Sequence, residues 1–119
     1  MKWIILIGKE EFSINSLKNL KYLEMYLAYE VEEIPGRYCL DYGDEHVFYD
    51  VVTDLEDFME DISIFPYKNP SIVMMSYTSD EIVRNILMQD DFPKDIYIDN
   101  DLGLIVPLSE FIDLGMPMG

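Results

Sequence analysis

The sequence predicts an α+β domain, a mixed β-sheet of about five to six strands with helices packed on it. Three observations lead there. Two apolar runs, Trp3 to Ile7 and Ile72 to Met75, have the character of strands buried on both faces. Alternating apolar and polar residues flank a Gly43-Asp44-Glu45 turn, the pattern of a hairpin. Between these lie stretches whose apolar residues recur at steps of three and four, the spacing of an amphipathic helix.

Taken in order, Trp3 to Ile7 is closed by Gly8 and belongs in the middle of a sheet. Ser13 or Ser16 can cap the next segment, where Leu17, Leu20, Leu23 and Leu27 mark a helix to about Glu30 before Pro35 and Gly36 turn the chain. Tyr38, Leu40 and Tyr42 alternate against Cys39 and Asp41, and the alternation resumes through Val47, Tyr49 and Val51. Thr53 and Glu56 form a capping box ahead of Leu55, Phe58, Met59 and Ile62, a second helix that Pro66 stops.

Ile72 to Met75 is the next strand. Thr78 and Glu81 repeat the capping box before Ile82, Val83, Ile86 and Leu87, a third helix that ends before Pro93. Ile96 and Ile98, a turn from Asp99 to Gly103, and Leu104 to Val106 make a second hairpin; Ser109 to Leu114 adds a helical turn. The order is βαββαβαββ, and its first six elements follow the split βαβ order of ferredoxin-like folds. Residues 1–114 form one domain, and the Gly/Pro-punctuated stretch 115–119 is expected to be a poorly ordered tail.

One cysteine, Cys39, cannot close a disulfide within the chain, which points to a reducing cytosol. Lys9, Glu10 and Glu11 cut the first apolar run below the length of a signal-peptide core, and no other run approaches a membrane span. The expectation is a cytoplasmic protein without a membrane partner. Met74, Met75 and Met88 fall in core-like segments.

The charge is the strongest functional signal. With 24 acidic residues against 8 basic ones the formal charge is -16, and from Tyr38 to Tyr67 nine carboxylates occur without one Lys or Arg. Such a field repels nucleic acid and steers a basic protein toward the chain. Along the helix expected from Thr53, Asp54, Glu56 and Asp57 suit the positive N-terminal end, but Glu60 and Asp61 fall at the opposite end, which disfavours them. Glu56 with Glu60 and Asp57 with Asp61 also stand at i,i+4, each costing roughly 0.2–0.5 kcal/mol. Acid placed against local stability points to a partner-binding surface of Tyr42, Asp44, Glu45, Asp54, Glu56, Asp57, Glu60 and Asp61.

Other chemistry finds less support. His46 beside Asp41, Asp44 and Glu45 is the one acid-base or metal candidate, yet neighbours on a hairpin face opposite sides of the sheet. Asp99, Asp101 and Glu110 match three positions of a calcium loop, but Gly103 and Leu104 occupy positions that need an oxygen ligand and a glycine. No nucleophile motif, Walker loop or dinucleotide fingerprint occurs. No catalytic residue, metal or cofactor is therefore expected. Asp90, Asp91, Asp95, Asp99 and Asp101 extend the acid, as a phosphate-mimicking regulator of a DNA-binding protein would require.

In length, excess acid, lack of a catalytic motif and a Tyr42-Gly43-Asp44-Glu45 turn leading to an acidic helix, the chain resembles the small acidic immunity proteins of bacterial toxin systems. Ile5 to Leu20 resembles the first strand and helix of barstar-type ribonuclease inhibitors. In that family the inhibitory helix begins after the Tyr-Gly pair, whereas His46 to Val52 here alternates as a strand, so its inhibitory residues do not carry over. The resemblance implies a non-enzymatic protein that neutralises a basic toxin or nuclease domain.

Overall fold

Strand β1 (Lys2–Gly8) is apolar on both faces, so it is stable only where both faces are covered. Ile4 and Leu6 enter the main core while Ile5 and Ile7 enter a second cluster, and all four are buried. A computed structural model of the chain describes residues 1–53 and 69–118. Among them β1 is followed by α1 (Ile14–Lys18), β2 (Leu27–Glu30), β3 (Arg37–Asp41), β4 (His46–Val51), β5 (Ser71–Tyr77), α2 (Asp80–Leu87), β6 (Ile96–Asp99), β7 (Ile105–Pro107) and α3 (Leu108–Asp113).

The described strands form one sheet of seven in the order β2-β3-β4-β5-β1-β6-β7, and neighbouring strands pair antiparallel throughout. Leu40, Val47, Tyr49, Val73, Met75 and Ile98 project from the sheet into a core that Leu17, Val83, Ile86, Leu87 and Phe111 close from the helical segments. On the second cluster's side Ile5, Ile7 and Ile72 are joined by partly buried Trp3, Met74 and Tyr97. The α+β class and the interior place of the first strand agree with the sequence. The mixed sheet of five to six strands does not: the described strands number seven and pair antiparallel, and the expected order βαββαβαββ is not matched.

The extra strand arises where the first helix was expected to continue. Ser13 caps α1, with its N–H donating to Ser16 Oγ at 3.3 Å, but the helix ends at Lys18 with Asn19 as its cap. Leu17 alone of the leucine stripe is fully buried; Leu23 is 77% exposed, and Leu27 lies on the edge strand β2. Two forces redirect the chain. Tyr22 turns its hydroxyl back onto the Leu17 carbonyl at 2.6 Å, beside the buried Tyr49 hydroxyl at 3.1 Å, and Leu27 to Glu30 gain a ladder with β3. Ala28-Tyr29 thus follows the pairing available to it in preference to the helical period.

Helix α2 corrects the expected cap by one residue. Ser79 is the N-cap and its Oγ accepts from the Ile82 N–H at 3.3 Å, while Thr78 bonds across to β4, accepting from the His46 N–H at 2.9 Å. The helix expected from Thr53 lies outside the described residues. Near the end of the described residues Met116 is buried, and Asn100 Nδ2 donates to the Pro117 carbonyl at 2.9 Å.

Candidate partner-binding surface

The β3–β4 hairpin presents three of the expected binding residues together. Asp41 stands opposite His46, so residues 42–45 make the loop. The Tyr42 N–H donates to the Glu45 carbonyl at 2.9 Å, and the Gly43 N–H donates to Asp41 Oδ1 at 2.7 Å. Gly43 holds φ +93, a left-handed conformation that a glycine adopts without steric cost and that fits a tight hairpin turn. This fixes Asp44 outward into solvent, leaves Glu45 half-buried, and turns Tyr42 toward the helical layer, where it packs against the main core. Burial pushes the Tyr42 phenol up to about 12, so it stays a neutral hydroxyl at physiological pH.

The loop carboxylates are unspent. Among the described residues Lys2 pairs with Asp80, Lys9 with Asp95, Lys18 with Glu30, and Arg37 with Asp50; Asp44 and Glu45 are outside these ion pairs, as are Glu10, Glu24, Glu32, Glu33 and Asp90. Asp54, Glu56, Asp57, Glu60 and Asp61 lie outside the described residues.

Tyr42 also borders a groove of about 730 Å³ that opens between residues 21–24 and α2. Ile82 and Ile86 are its inner apolar surface, with the exposed Leu23 and Met88 at its mouth. Glu24, Asp90 and Asp91 supply acid at the same opening, against the single cation Lys21. One wall is fixed by hydrogen bonds: the Lys21 N–H donates to Asp91 Oδ2 at 2.9 Å, and Gln89 Nε2 donates to the Lys21 carbonyl at 3.1 Å and to Asp91 Oδ1 at 2.9 Å. The Lys21 backbone amide, followed by the Gln89 side chain, holds the Asp91 carboxyl below its ordinary value.

The groove was missed in the sequence because its lining comes from three separate segments. Met88, expected in a core-like segment, is 57% exposed as the C-cap of α2. The one available signal was Met88-Gln89-Asp90-Asp91, a large apolar residue running directly into acid at a helix end where the macrodipole disfavours it.

The remaining candidates are built into the fold. His46 Nε2 lies 3.6 Å from Asp41 Oδ1 and its ring stacks on Phe48 at 6.2 Å. Cys39 sits opposite Phe48 in the strand register, buried, and desolvation pushes its thiol up, away from a reactive thiolate. Of the acidic run from 90 to 101, Asp91 holds Lys21, Asp95 pairs with Lys9, and Asp99 Oδ1 accepts from the Asp101 N–H at 2.9 Å. Among the described residues no group of three or more His, Cys, Asp and Glu side chains is placed to hold a metal ion, and no helix is long and apolar enough to cross a membrane. No family model matches this chain, and no significant similarity joins it to a curated protein or a solved structure.

Proposed function

We propose that the chain is a non-enzymatic, cytoplasmic binding protein that neutralises a basic toxin or nuclease domain by covering it with an acidic surface. The observation that carries this reading is the β3–β4 loop: a hydrogen-bonded turn holds Asp44 and Glu45 outside every described ion pair, in a chain of formal charge -16. Carboxylates that serve the fold are found on cations or on backbone N–H groups elsewhere, so the loop acids are free to act on a partner. Such a field accelerates encounter with a basic protein and discourages wrong partners by like-charge repulsion. The acids from 54 to 61 extend the same block along the sequence.

The test is growth rescue. The chain is co-expressed with each of a panel of basic toxin and nuclease domains, and growth is compared between wild type and Asp44→Lys/Glu45→Lys. Wild type is expected to restore growth and the double variant to lose most of the protection at equal expression. Equal protection by both removes the loop from the binding surface.

A further inference from the structure

We propose that the groove between residues 21–24 and α2 is the anchoring site for that partner, taking a leucine- or aromatic-sized side chain from a segment whose flanking arginines or lysines meet Glu24 and Asp90. The proposal rests on the acidic-binding reading and adds to it the chemistry of the segment that docks.

Four observations carry it. At about 730 Å³ the groove falls in the ~300–1,000 Å³ range of pockets that enclose a ligand. Its mouth exposes Leu23 and Met88, large apolar side chains beside the carboxylates Glu24 and Asp90. Its wall is preformed, because Asp91 and Gln89 clamp both backbone groups of Lys21, so little has to be ordered on binding. Glu24 holds φ +62, a left-handed conformation where glycine or asparagine costs less, so its carboxylate is kept at the rim against local preference.

Charge selects the occupant. A second copy of this chain would bring another -16 to the rim and be repelled, whereas a basic segment gains both the rim contacts and the apolar floor. Tyr42, the first residue of the hairpin loop, also lines the groove, so the groove borders the acidic loop on one side.

Two synthetic peptides of equal length and equal charge serve as probes, one alternating arginine with leucine and tryptophan, the other alternating arginine with serine. Their affinities are measured by fluorescence anisotropy for wild type, Met88→Glu and Leu23→Glu. Both substitutions are at exposed positions and add negative charge, so pure electrostatics strengthens both peptides, while loss of an apolar anchor weakens the first. The apolar peptide is expected to bind wild type about tenfold or more tighter than its serine counterpart, and each variant to remove most of that preference. Equal affinity of the two peptides for wild type, both released by salt, overturns the groove while the acidic-surface reading stands. A preference that survives in both variants places the anchor elsewhere and also overturns it. Binding of neither peptide overturns the groove and the reading together.

Discussion

Asn100 shows how a single side chain can wire distant segments of this fold. It is buried, its Oδ1 accepts from the Leu102 N–H at 2.9 Å and the Leu104 N–H at 3.2 Å, and its Nδ2 holds the Pro117 carbonyl. Asn100→Ala orphans these groups, and the expected cost is about 2–3 kcal/mol in urea unfolding, with faster hydrogen exchange at the Leu102 and Leu104 amides. Gly8 is required for a different reason: a Cβ there would stand 2.5 Å from Phe12 Cβ and Cγ. Gly8→Ala is therefore expected to destabilise by roughly 2 kcal/mol or more, read from the shift in urea midpoint at unchanged m-value. Neither role was legible in the sequence. Gly8 reads as the end of a strand and Asn100 as part of a polar turn, because neither the fold-back of Phe12 onto Gly8 nor the return of Pro117 to Asn100 is contained in a local period. Tyr42, by contrast, was legible, since its place beside the Gly-Asp-Glu turn already set it at the hairpin tip.

At the scale of elements, those defined by local chemistry were read well and those defined by pairing were not. The β3–β4 hairpin carries its own alternation and its own turn glycine, so its strands and loop emerged from the sequence as the structure has them. The first helix carries an equally regular leucine spacing through Leu27, yet the chain leaves it after Lys18 to add an edge strand to the sheet. That choice depends on β3, on the Tyr22–Leu17 hydrogen bond and on the clamp at Lys21, none of which a local period contains. The clamp has a pH signature. Asp91 is held below its ordinary value of 3.8, so its contribution is complete above that value and is lost as the pH falls through the lower folded one. The Lys21 amide proton resonance is accordingly expected to titrate with a midpoint below 3.8, and in Asp91→Ala that titration is expected to vanish. A Lys21 resonance indifferent to Asp91 would remove the clamp from the groove wall.

For the whole molecule, the α+β class followed from the apolar runs, while the number and order of strands waited on which edges meet. The charge was legible from the first reading, but its distribution was not. The structure separates acids spent on the fold, such as Asp50 on Arg37 and Asp95 on Lys9, from exposed Asp44 and half-buried Glu45, which are without a described cation. Separation of this kind is what an account built on a basic partner requires, since only unspent carboxylates change their surroundings on binding. The most direct measurement is the affinity of the purified chain for a basic toxin or nuclease domain against which it restores growth, by calorimetry across salt concentrations, for wild type and for Asp44→Lys/Glu45→Lys carrying also Glu56→Gln, Asp57→Gln, Glu60→Gln and Asp61→Gln. The account predicts wild-type affinity that falls about tenfold or more between low and high salt, and a multiple variant that binds at least about 100-fold more weakly at low salt. Affinity unchanged by salt and by these substitutions would contradict it.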